Sequence, residues 1–208
     1  MKKIAVFVSG GGTNLQSIID AIADGKITNG KIDIVISSKS DVYALERAAI
    51  AEIDSVVIDR KKIADRRDFT ETIIMELEKR EIDLVVLAGF MVILDEAIFA
   101  KYKNRMINVH PSLIPAFCGV GFYNLRIHEA VLERGVKLTG ATVHFVNEIT
   151  DGGPIIAQMA VAVEENDTPL TLQRHVMEQC EWKLLPHAID LFCNDRLTVD
   201  GNDIVHIS

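Results

Sequence analysis

At 208 residues, 49% of them hydrophobic, the chain is long enough to bury a sizeable core and suits a single domain. Its formal net charge of −8 disfavours non-specific nucleic-acid binding, and no run approaches the roughly 20 apolar residues of a membrane span. The three cysteines, Cys118, Cys180 and Cys193, form no CxxC pair, which suits a reducing cytoplasm and argues against a disulfide framework or a zinc site.

The chain opens MKKIAVFVSGGG. Its apolar run is short and ends in glycines, not in a small-residue cleavage site, so residues 4–8 read as a first strand and not as a signal peptide. Helical spacing follows over 14–23 through Leu15, Ile18, Ile19 and Ile22. Residues 32–36 read as a strand, 43–51 as a helix, 56–58 as a short strand and 69–80 as a helix with Phe69, Ile73, Ile74 and Leu77 on one face. A strand at 84–87, a helix from Glu96 and a strand at 106–109 continue the alternation. Val and Ile runs without polar alternation imply strands covered on both faces. Strand–helix repetition implies a mostly parallel, twisted sheet with helices on both faces.

The second half changes character. Two strand-like runs, 139–145 and 155–163, follow one another across the turn-rich NEITDGGP, which predicts an antiparallel addition to the sheet. Residues 170–192 read as a long helix that Pro186 kinks or divides, and 197–207 as a small hairpin around DGND. No linker or internal repeat interrupts the chain. One domain over 1–208 is expected.

"SGGGTN" joins the first strand to the first helix. Glycines allow a tight turn and close approach of a ligand, and a helix N-terminus offers free N–H groups to a phosphate. The loop lacks the Lys-Ser/Thr of a P-loop, and Leu15 stands where the last glycine of GxGxxG belongs, so a dinucleotide is disfavoured. Taken by itself, the loop is equally consistent with a plain strand-to-helix turn capped by Thr13 or Asn14.

"INVHPSLIP" ends a strand on Asn108 and His110. Strand periodicity places both on one face, at the carboxyl edge where parallel sheets bind ligands. An amide beside an imidazolium suits a developing oxyanion. A nearby carboxylate would keep that imidazole charged, and Asp151 in TDGGP is the best candidate. Read on spacing alone, NxH is an ordinary polar strand end and Asp-Gly-Gly-Pro an ordinary turn.

Together, SGGGTNLQSIID, SSKSDVYALERA, VVLAGFMVIL, INVHPSLIPAF, GATVHFVNEITDGGPII and LPHAIDLF resemble, in order, the blocks of the phosphoribosylglycinamide formyltransferase family. These are the folate-dependent GAR transformylases of purine synthesis. The resemblance implies a nucleotide-phosphate-binding half over about 1–100, a catalytic and folate half over about 101–208, and catalytic roles for Asn108, His110 and Asp151. It implies substrate binding by Gly12, Thr13 and Asn14 (phosphate) and Glu181 (ribose hydroxyls). It implies binding of N10-formyltetrahydrofolate, the cosubstrate, by Arg66, Met91, Val92, Ile93, Leu94 and Asn108, with no metal. His144 matches a further histidine of the family, although a His inside a buried strand is more often a satisfied core residue. The chain departs from the pattern at Val92, where Arg is common, at Gly11, where Asn is common, and at Glu178, where Gln is common. The 117–131 stretch is longer than in some relatives and could bring Cys118 and Tyr123 near substrate.

A cytoplasmic monomer or homodimer acting on small molecules is expected, with no nucleic-acid or membrane partner. The other histidines, His128, His175, His187 and His206, show no metal-ligand spacing. Formyltetrahydrofolate hydrolase would carry a regulatory domain ahead of the first strand. Methionyl-tRNA formyltransferase would need a further C-terminal domain and a basic surface. A non-catalytic nucleotide-binding module would keep the glycine loop without needing Asn108, His110 and Asp151 together.

Overall fold

The computed structural model describes residues 1–208. Seven strands form a mixed sheet, order β3-β2-β1-β4-β5-β6-β7, with helices around it. The elements in chain order are β1 (Lys2–Val8), α1 (Thr13–Ala23), β2 (Gly30–Ser37), α2 (Tyr43–Ile50), β3 (Ser55–Val57), α3 (Arg66–Lys79), β4 (Leu84–Leu87), α4 (Glu96–Lys101), β5 (Met106–His110), α5 (Leu125–Arg134), β6 (Leu138–Phe145), β7 (Ile155–Ala162), α6 (Pro169–Val176), a π turn (Met177–Glu181), α7 (Trp182–Cys193), β8 (Leu197–Val199) and β9 (Val205–Ile207). The chain divides into two compact units, Met1–Asn108 and Val109–Ser208.

The first unit is the parallel one. β1 lies between β2 and β4 and pairs parallel with both. Its residues Ile4 to Val8 are wholly buried, which is why the sequence shows no polar alternation there. The chain moves outward from β1 through β2 to β3, then returns to the other side of β1 for β4. That reversal is a topological switch point, where open α/β sheets leave a crevice at the strands' carboxyl ends. The register pairs Phe7 with Leu87 and Leu87 with Asn108, so β1, β4 and β5 end at one level.

The second unit has an antiparallel pair at its centre. β6 and β7 run in register from Leu138–Ala162 to His144–Ile155, with an irregularity between Val143 and His144. Gly140 is obligatory here, because a Cβ on it would lie 2.0 Å from the Met159 carbonyl oxygen of β7. Helix α7 packs on β6 and β7. The terminal hairpin is β8 paired antiparallel with β9.

Two expectations change. Residues 125–134 form helix α5, which the sequence reading did not separate from the preceding loop. The long C-terminal helix departs from α geometry over Met177–Glu181, ahead of Pro186 and not at it. Pro186 sits early in α7 and has no N–H to offer the Trp182 carbonyl, and the π turn ends where that gap opens.

Candidate active site

In the first unit, the switch point brings together the ends of β1 and β4. After β1 the chain enters Gly10–Gly12, and Gly12 caps α1 from a left-handed conformation (φ 73°). The expected Thr13 or Asn14 side-chain cap is not made. A Cβ on Gly12 would lie 2.7 Å from that of Ala44, so only glycine lets the loop run this close to α2. Beyond β4, residues 89–95 run as irregular chain tied back to β1: the Met91 N–H donates to Ser9 Oγ (3.0 Å), which pairs with Ser38 Oγ (2.7 Å). Met91 and Ile93 stand exposed while Leu94 is buried, so this segment presents an apolar lip at the carboxyl edge.

Arg66 opens α3, and its guanidinium lies 3.6 Å from Asp95 beside that lip. Asp95 accepts from Ala97 N–H to cap α4, and its own N–H donates to Thr70 Oγ1. Arg66 is therefore fixed at the base while more than half exposed, free to meet a further carboxylate. Asn108 follows on β5, half-buried at the same strand level as Leu87.

The second unit assembles the ionisable cluster. His110 is buried, with Nδ1 3.5 Å from Asp151 Oδ2 and Nε2 donating to the Phe117 carbonyl at 2.9 Å. An imidazolium has one N–H for each of these oxygens; a neutral ring has only one N–H to share between them. Asp151 also accepts from Gly119 N–H (2.8 Å) and adopts φ 55°, a conformation aspartate tolerates in turns. Its other oxygen lies 3.8 Å from Nε2 of His144. His144 is buried, donates from Nδ1 to the Phe145 carbonyl, and is pushed below the ordinary histidine range chiefly by burial. Burial and the Asp151 charge push the Cys118 thiol up, so it stays protonated.

The HPSLIP segment is braced from β6. Thr142 Oγ1 donates to the Ser112 carbonyl (2.7 Å) and accepts from Ile114 N–H (3.0 Å), and Gln158 bonds both Thr142 and the Ile114 carbonyl. The turn bearing Asp151 is equally confined: a Cβ on Gly153 would lie 1.9 Å from the Phe145 carbonyl oxygen.

Glu181 is 6% exposed, a carboxylate carried into the interior by the π turn. Glu178 lies on the exposed side of that turn and is paired with Arg174 at 3.0 Å, which offsets its charge. Sequence reasoning singled out Asn108, His110 and Asp151, and the structure brings His110 and Asp151 to 3.5 Å. It gave no role to Thr142, Ser9 or Gly119, whose contacts depend on folding. His144 lies 3.8 Å from Asp151, and the resemblance to the family was the signal that pointed to it. No group of three or more His, Cys, Asp or Glu is arranged to hold a metal ion, and no helix is long and apolar enough to cross a membrane.

A glycine loop at a switch point in the first unit, and in the second a buried imidazole paired with a carboxylate, are features suited to a group-transfer enzyme. Comparison with known proteins narrows the class. The chain belongs to the formyl transferase family, whose model matches residues 2–189. It is 40% identical to the phosphoribosylglycinamide formyltransferase of Haemophilus influenzae over 97% of this chain and 92% of that one. It is 42% identical to the human trifunctional purine biosynthetic protein adenosine-3 over 96% of this chain, but spans only 19% of that protein. Among solved structures, glycinamide ribonucleotide transformylase 1 from Symbiobacterium toebii superposes with a TM-score of 0.93 at 40% identity, covering 100% of this chain and 94% of that one.

Proposed function

We propose that the chain transfers the formyl group of N10-formyltetrahydrofolate to the glycinamide amine of phosphoribosylglycinamide (GAR), giving formyl-GAR and tetrahydrofolate in purine biosynthesis. The observation that carries this reading is the His110–Asp151 pair at 3.5 Å, with His110 ending the strand that also holds Asn108.

The steps follow from the residues. As the amine adds to the formyl carbon, the carbonyl oxygen gains charge. The Asn108 amide donates to it, and the His110 imidazolium donates both a hydrogen bond and a charge. In the present arrangement Nε2 of His110 is taken by the Phe117 carbonyl, so that carbonyl yields its place as substrate arrives. Asp151 balances the imidazolium and takes up, through water, the proton that the amine loses; as the oxyanion collapses the C–N10 bond breaks, that proton passes to N10, and tetrahydrofolate leaves. No covalent enzyme intermediate is needed. Gly12, Thr13 and Asn14 hold the substrate phosphate on loop and helix N–H groups. The buried carboxylate of Glu181 accepts from the ribose hydroxyls. The exposed faces of Met91 and Ile93, with Val92 and the buried Leu94, receive the flat folate ring, and Arg66 meets the folate's distal carboxylates. Three free thiols suit a reducing compartment such as the cytoplasm.

The deciding experiment measures tetrahydrofolate formation from formyl-folate with and without GAR. Product that depends on GAR supports transfer; product without GAR means hydrolysis; no product in either case means a binding module.

A further inference from the structure

Helix α2 lies against the glycine loop and grips it at consecutive peptide groups. The Ala44 N–H donates to the Gly10 carbonyl at 3.2 Å. Arg47 Nε donates to the next carbonyl, that of Gly11, at 2.9 Å. The same guanidinium reaches across to α1, where Nη1 donates to Gln16 Oε1 at 2.8 Å, and it rests on the Tyr43 ring at 4.9 Å. All these partners are neutral, so the loop keeps the positive charge of Arg47.

A trans peptide points its C=O and its N–H in opposite directions. With the Gly10 and Gly11 carbonyls turned toward α2, the N–H groups of Gly11 and Gly12 are turned away from it. Successive N–H groups held on one side form an anion-binding concavity, which the first turn of α1 extends. Glycines in this loop would otherwise be free to rotate those peptides, because Gly10 and Gly11 have open space around them and no side chain to restrain them. The planar fork of arginine is suited to the task, since its Nε and Nη1 serve the loop and the helix at once.

We propose that Arg47 is a positioning residue for the substrate phosphate: by bracing the Gly11 carbonyl and Gln16 together, it holds the loop N–H groups toward the anion. This rests on the reading that the glycine loop holds the phosphate of GAR. The test compares the wild-type enzyme with Arg47→Lys and Arg47→Met, using GAR and its dephosphorylated ribonucleoside as acceptors. Lysine keeps the charge but cannot make both bonds. Both variants should raise KM for GAR by about tenfold, the worth of a hydrogen bond to a charged group. KM for formyl-folate and kcat should stay as in the wild type, and kcat/KM for the ribonucleoside should not change. Wild-type KM for GAR in both variants overturns the inference. So does an equal loss with both acceptors, or a lysine variant that behaves as wild type. Gly12→Ala tests the underlying reading separately: if it leaves the preference for the phosphorylated acceptor intact, the loop does not hold the phosphate. If Gly12→Ala abolishes that preference while the Arg47 variants keep it, only the role of Arg47 falls.

Discussion

Asp151 Oδ2 stands 3.5 Å from Nδ1 of His110 and takes a hydrogen bond from the backbone N–H of Gly119 at 2.8 Å. One carboxylate oxygen thus serves both the imidazole and the loop that follows it. Asp151→Asn keeps an oxygen for the Gly119 N–H but turns a neutral group toward His110. The expected result is a kcat lowered by about 10²-fold with KM for GAR nearly unchanged and the unfolding midpoint preserved. Steady-state kinetics and thermal unfolding on the same preparation check it, and an unchanged kcat removes Asp151 from the mechanism.

Asn108 and His110 share strand β5, and in the proposed mechanism each offers a donor to the same developing charge. Loss of one such donor typically lowers the rate by about 10²–10³-fold. Asn108→Ala should fall in that range, and His110→Ala should lose at least as much, both with an intact fold by circular dichroism. Near-native turnover in either variant rejects the assignment.

The turn that carries Asp151 admits no side chain at residue 153. A methyl there meets the Phe145 carbonyl oxygen at 1.9 Å, so Gly153→Ala must push the turn away from the end of β6. About 1–3 kcal/mol of stability should be lost, as for other overpacked sites, together with most of the turnover. Gly201→Ala is the matched control, because a methyl there meets nothing within 4 Å. Denaturant titration of both variants decides the point: equal stabilities would mean the turn relaxes freely.

Much of this was legible in the sequence, for physical reasons. Strands such as β1 are buried on both faces, so their apolar runs announce them. The polar pair ending β5 stands out against such a run. Helix α5 was harder to see, because its buried face includes His128 beside Ile127 and Val131, and a histidine reads as polar. The π turn has no sequence signature beyond Pro186, and one added residue per turn leaves the apolar spacing blurred. The meeting of His110 with Asp151, the arrival of His144 and the brace of Arg47 on Gly11 depend on how distant segments fold back, which local spacing does not encode.

His128 itself yields the last expectation. Its ring is wholly buried, neither nitrogen has a hydrogen-bond partner, and it is pushed down to about 4 first by burial and then by the nearness of His110. In the unfolded chain the same ring takes up its proton near 6.5. Between these values the unfolded state binds more protons than the folded one. Stability contributed by the neutral ring is therefore present in full above pH 6.5 and is lost as pH falls toward 4. The loss is on the order of 3 kcal/mol across that window and levels off below it. His128→Leu removes both the titration and the unpaired polar atoms. It should match or exceed the wild type at pH 7, by up to about 1 kcal/mol, and its stability should fall less between pH 6.5 and 4. Urea unfolding at half-unit pH steps measures both slopes. Parallel curves for the two proteins would mean that His128 takes up its proton in the folded state as readily as in the unfolded one.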